Sequence, residues 1–128
     1  MAKACSLIEE AARNGAALIA FPETYIPAFP LWSAVEAPIH NHEWFKRLAA
    51  SSIRCPGPEL ERIAGAARRH GVIVSLGFNE GTADSVGCLW NSNVLMTSSG
   101  TTTGSTCSIC RSIGRGGGRW RGGEARRR

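Results

Sequence analysis

The stretch Gly15-Ala16-Ala17-Leu18-Ile19-Ala20-Phe21-Pro22-Glu23-Thr24-Tyr25-Ile26-Pro27-Ala28-Phe29-Pro30 decides the fold. Ala16 to Phe21 is an apolar run of the length and composition of a buried strand, and Pro22 ends it. A carboxylate follows at once. The residues beyond it are too rich in proline and aromatics to continue the strand or to start a helix. In α/β proteins, ligands and chemistry collect at the carboxyl ends of strands. Glu23, flanked by Phe21, Tyr25, Phe29 and Trp32, is therefore a candidate general base in a partly dry pocket. The competing reading is a solvated loop glutamate beside a strand end. Tyr25, Phe29 and Trp32 either line a substrate pocket or pack the loop against the sheet.

Working outward, Ala4, Leu7, Ile8, Ala11 and Ala12 recur at helical spacing, and Asn14-Gly15 is a suitable stop. Asn41 is placed to cap a second helix with Trp44, Phe45, Leu48 and Ala49 on its inner face. Pro58 suits the first position of a third helix, which reaches His70 with Leu60, Ile63, Ala64 and Ala67 inward and Gly71 as its stop. Val72 to Phe78 has the near-continuous apolar character of a covered strand. Cys88 to Thr97 reads as another strand, and Ser98-Ser99-Gly100 turns it towards a short Thr101–Thr103 strand. Alternating helices and strands with short connections make the fold class α/β.

A chain of 128 residues holds one modest core. No apolar run approaches the length of about 20 residues that a membrane-spanning helix needs. Glu9 and Glu10 and the lack of an apolar leader argue against a signal peptide. Five scattered cysteines do not form a secreted disulfide framework, so a reducing cytoplasm is expected. Cys107 and Cys110 have the spacing of a metal or redox pair, but only His40 and His42 could complete a zinc site, and the spacing is read as coincidence. No metal is expected.

The net charge of +5 is unevenly placed. Up to Gly100, eight Lys and Arg face nine Asp and Glu; from Thr101 onward, seven Arg face one Glu. The chain changes character near residue 103. Residues 1–103 are expected to form one domain part, and 104–128 an Arg/Gly-rich tail, disordered or the product of a shifted reading frame. An alternative reading gives that tail an RNA-binding role through phosphate charge and stacking on Trp120. Nucleic acid is the less favoured partner.

The stretch around Glu23 resembles the first catalytic signature of the nitrilase, or carbon–nitrogen hydrolase, superfamily: glycine, two free positions, two apolar residues, one free position, an apolar residue, proline, then glutamate. Ala28-Phe29-Pro30 stands where most members have glycine-tyrosine-proline. The resemblance continues through Gly71-Val72-Ile73-Val74-Ser75-Leu76-Gly77-Phe78 and Leu89-Trp90-Asn91-Ser92-Asn93-Val94-Leu95, covering about residues 3 to 103. Pro27 to Trp32 and Pro38 to His42 look more like nitrilases proper than amidases or carbamoylases.

The resemblance implies part of an α-β-β-α sandwich and hydrolysis of a small nitrile or amide by a Glu-Lys-Cys triad, without a cofactor. It implies homo-oligomers for the parent enzyme. Glu23 matches the base, and Asn91 matches a recurring position of more structural than chemical character. After Gly104 the family's lysine segment and later cysteine find no match. The sequence has only two lysines, Lys3 and Lys46, both on expected helices. The chain is therefore expected to be a truncated and inactive piece of such an enzyme.

Overall fold

Helix α4, Pro58–His70, follows directly from its sequence. Pro58 brings a helical φ to the first turn, and Glu59 and Glu61 meet the positive end of the helix dipole. Arg68, Arg69 and His70 meet the negative end, and Gly71 stops the helix in the left-handed region at φ 65°. Leu60, Ile63, Ala64 and Ala67 are all buried, as their spacing predicts. Helix α1, Ala2–Arg13, ends at Asn14 and at Gly15 with φ 85°. It buries Ala4 and Ile8 and packs on α4.

The computed structural model describes residues 1–81 and 88–97, with the backbone of 102–104 and 109–110. The Arg/Gly tail and Cys107 lie outside the described residues, as does most of the chain beyond the boundary expected near residue 103. Among the described residues, five strands form one sheet: β1 Leu18–Ala20, β2 Ile73–Gly81, β3 Leu89–Met96, β4 Thr102–Gly104 and β5 Ile109–Cys110. β1 runs parallel to β2, and β3 runs antiparallel to β2. β4 and β5 both pair antiparallel with β3. The architecture is α/β, as expected.

Register separates the two faces of the sheet. Val74 stands opposite Met96, Leu76 opposite Val94 and Phe78 opposite Ser92. Val74, Leu76, Phe78, Val94 and Met96 are fully buried and join Ile8, Ile63, Ala66 and Ala67 in one core. At about 25 cal/mol per Å² of apolar surface, this face is the main source of stability. The other face carries Ser75, Gly77 and Asn79 opposite Leu95, Asn93 and Asn91. It is polar at the end nearer Glu23.

The edge of β2 is filled by three separate segments. β1 covers its first residues, with Phe21 N donating to Ser75 O at 2.8 Å. Ile26 then pairs beside Phe78, with Asn79 N donating to Ile26 O at 2.7 Å. Ile53 pairs beside Glu80, donating to Asn79 O at 3.1 Å and accepting from Gly81 N at 3.0 Å.

Two expectations need correction. The buried strand expected over residues 16–21 is shorter, and Leu18 is 61% exposed. β1 is the end strand of the sheet path, and Leu18 and Ala20 lie on the open face, so an apolar run did not mean burial on both sides. The second helix exists as α3, His42–Ser51, but buries none of its residues, and Trp44 is 50% exposed. The Trp44 ring instead carries the Arg47 guanidinium 5.2 Å from its centroid. Asn41 does not cap this helix with its side chain; its Nδ2 donates back to Glu36 O at 3.3 Å. One helical turn, α2 (Trp32–Val35), and a 3₁₀ turn at Pro38–His40 precede it.

Candidate active site

Between the pairings of Phe21 and Ile26 with β2, the chain leaves the sheet edge and returns, and Glu23 sits in that excursion. Two local devices make the detour possible. Thr24 adopts φ 48°, a left-handed conformation that costs a β-branched residue energy and turns the backbone sharply. Gly77 lies beneath: a Cβ there would stand 2.5 Å from Pro22 O, 2.9 Å from Glu23 Cα and 3.0 Å from Thr24 N. Only glycine lets the glutamate backbone lie this close to β2. Thr24 is 2% exposed, and its Oγ1 has no hydrogen-bond partner among the described residues.

The Glu23 carboxylate extends over the polar face, where Asn91 of β3 donates from Nδ2 to Oε1. Asn91 stands directly opposite Asn79 of β2. The buried Asn79 donates from Nδ2 to Ala28 O at 2.9 Å, tying down the far end of the same loop. On the next cross-strand rows, Ser75 donates from Oγ to Asn93 Oδ1 at 3.2 Å. A carboxylate with one oxygen engaged by an amide and the residue itself exposed has an oxygen left to accept a proton.

The remaining residues singled out from the sequence separate into three positions. Tyr25 turns to the core, half-buried, its ring 4.8 Å from that of Phe21 at 43°. Phe29 is 56% exposed and Trp32 half-buried at the start of α2. Glu23 is itself exposed, so the partly dry pocket expected around it is not formed by the described residues. The reason is geometric: Phe21 and Tyr25 pack against each other and the core, leaving the carboxylate on the open face. Lys46 is engaged with Glu43 at 2.9 Å on α3, and Lys3 is exposed on α1. Asn91, Asn79 and Gly77 are the site residues whose roles the sequence did not disclose. A glycine within an apolar strand was the one available signal for the third.

Comparison with known proteins fits this geometry. The family model described as carbon-nitrogen hydrolase matches residues 1–109. The chain belongs to the carbon–nitrogen hydrolase family. Among relatives, it is 43% identical over 98 residues to an arylacetonitrilase of Hypocrea virens, covering 77% of this chain and 28% of that protein. It is 40% identical over 78 residues to a nitrilase of Paraburkholderia phymatum (61% and 23% covered) and 39% identical over 79 residues to an aliphatic nitrilase of Rhodococcus rhodochrous (61% and 22%). The chain thus spans about a quarter of the length of these relatives. In fold it is similar to a carbon–nitrogen hydrolase superfamily protein from Xanthomonas campestris, with a TM-score of 0.53 and 16% identity over 80% of this chain and 33% of that one.

Proposed function

We propose that this chain supplies the base-bearing portion of a nitrilase active site, with Glu23 as the general base. The observation that carries the reading is the placement of Glu23 just past the carboxyl end of β1, pressed onto Gly77, with one carboxylate oxygen held by Asn91. In covalent nitrile hydrolysis, a carboxylate takes the proton of a thiol and the thiolate adds to the nitrile carbon, forming a thioimidate. A cation stabilises charge developing on nitrogen. Water then adds to the thioimidate carbon, ammonia leaves with the protons delivered to it, and a further water releases the carboxylic acid and restores the thiol. Glu23 fits the proton-accepting role in each of these steps.

The substrate class is a small nitrile. Aryl-bearing nitriles come first, because relatives at 43% and 40% identity are named arylacetonitrilases. Phe29 and Trp32, in the segment that follows the base, are the candidate contacts for an aromatic ring; Tyr25, packed on Phe21, supports the loop. Among the described residues no helix is long and apolar enough to cross a membrane, and the cytoplasm is the proposed location. The polypeptide carries the base but no lysine or cysteine matching the other two triad members. Alone, it should release no ammonia.

The test uses two proteins. Incubated with an arylacetonitrile, the chain itself should give no ammonia above the buffer. A chimera that joins residues 1–98 to the remainder of the Hypocrea virens arylacetonitrilase should release ammonia, and Glu23→Gln in that chimera should lower the rate by about 10³-fold or more. A folded chimera with unchanged activity after Glu23→Gln sinks the assignment.

A further inference from the structure

We infer that Asn79 and Asn91 are positioning residues that act as the two arms of one clamp on the Glu23 loop. The two asparagines face each other across β2 and β3 on the sheet face that carries the glutamate. Asn91 reaches the carboxylate of Glu23 with its amide nitrogen. Asn79 reaches the carbonyl of Ala28 at 2.9 Å with the equivalent nitrogen, while its backbone N–H donates to Ile26 O at 2.7 Å. The loop between these anchor points carries the left-handed Thr24 and touches the sheet backbone at Gly77.

Each contact constrains something the others leave free. Gly77 fixes how near the Glu23 backbone comes to the sheet, but says nothing about where the side chain points. The glutamate side chain is exposed and has three rotatable bonds, so without a partner it would sample many directions. A hydrogen bond to a charged acceptor is the stronger kind, and its donor here stands on a rigid central strand. Asn91 therefore selects the direction of the carboxylate. Asn79 keeps the return arm of the loop, Ile26 to Ala28, from peeling off β2 and taking Phe29 with it. The direct opposition of the two residues couples the arms, because a shift of either strand moves both.

This inference rests on reading Glu23 as the base, but its test needs no turnover. The full chain is treated with carbodiimide and an amine, and carboxyl labelling is read by peptide mass spectrometry. Glu36 and Glu43 serve as internal references, and amide hydrogen exchange of Val74–Phe78 reports the sheet. Asn91→Ala and Asn91→Leu should raise the labelling rate of Glu23 by about fivefold with the references unchanged. Asn91→Gln should restore part of the protection. Asn79→Ala should speed amide exchange in residues 24–31 and raise Glu23 labelling less than Asn91→Ala does. Unchanged Glu23 labelling in both Asn91 variants overturns the clamp. A rise that comes with lost protection in Val74–Phe78 also overturns it, since Asn91 would then be supporting the sheet rather than the carboxylate. If the chimera above fails while these rates change as described, the nitrilase reading falls and the clamp stands.

Discussion

Replacing Gly77 by alanine puts one methyl group where three backbone atoms already sit. Its carbon would lie 2.5 Å from Pro22 O, 2.9 Å from Glu23 Cα and 3.0 Å from Thr24 N, against 3.4 Å or more in ordinary contact. Pro22 O must retreat by about 0.9 Å, and the neighbours cannot rotate away because all three atoms belong to the main chain. Overpacking of this kind costs about 1–3 kcal/mol. The opposing gain, from replacing glycine within a strand, is about 0.5–1 kcal/mol. Three main-chain clashes put the cost in the upper part of that range, about 2–3 kcal/mol, so the net is a destabilisation of about 1–2.5 kcal/mol, or roughly 4–20 °C in Tm for a domain of this size. Thermal unfolding followed by circular dichroism in dilute solution measures it. Gly65→Ala is the control: it is helical, the nearest atom to its added Cβ is a flexible Arg69 nitrogen at 3.6 Å, and it should raise stability by about 0.5–1 kcal/mol. If Gly77→Ala melts at or above the temperature of the parent chain, the close approach of Glu23 to β2 is wrong, and with it the account of how this carboxylate is placed.

Other outcomes follow from the same structure. Leu76→Ala removes a fully buried side chain from the helix-covered face and should cost about 2–5 kcal/mol in denaturant titration; a cost below that would mean the core closes around the gap. Ser92→Ala deletes the hydroxyl that donates to Glu80 Oε2 at 2.6 Å and leaves the half-buried carboxylate without that donor, a loss of about 1.5–3 kcal/mol by the same titration. Gly71→Ala forces a side chain into φ 65° at the end of α4 and should lower stability by about 1 kcal/mol, with Gly71→Asn costing less. Partial burial, with Glu80 as the lesser cause, raises the Cys55 thiol above its ordinary pKa. A raised value keeps the thiol protonated to higher pH, so alkylation by iodoacetamide should begin its rise at a higher pH than for a free cysteine. Glu80→Gln should shift that rise back downwards.

Much of the fold is legible in the sequence because local signals and packing agree. α4 has its proline, its charges and its terminal glycine in the places that helix physics demands, and the four inward residues follow from spacing alone. α1 and the two long strands are similar cases. Trp44 shows where this stops, since periodicity marks a hydrophobic stripe but not whether another element covers it. The same limit hides the edge position of β1, because an apolar run looks alike with one face open or none. At the site, Glu23 stands out through its proline and aromatic setting. Its partners do not: Asn91 lies 68 residues away, and only the register of β2 against β3 brings it across to the carboxylate. Contacts set by register leave no mark on either segment taken singly.

The three-piece edge of β2 has a consequence for how the chain forms during synthesis. β1, Ile26 and Ile53 all precede β2 in the sequence, and among the described residues each takes its sheet hydrogen bonds from that strand. From Leu18 to Gly81 the ribosome adds 63 residues, about 3–13 s of translation at ~5–20 residues per second. Throughout that interval the Glu23 loop lacks the backbone partners that β2 gives it. Emergence of Ile73–Gly81 is then a single late event that captures all three waiting segments, and synonymous codons that slow or speed this region should alter yield without changing a residue.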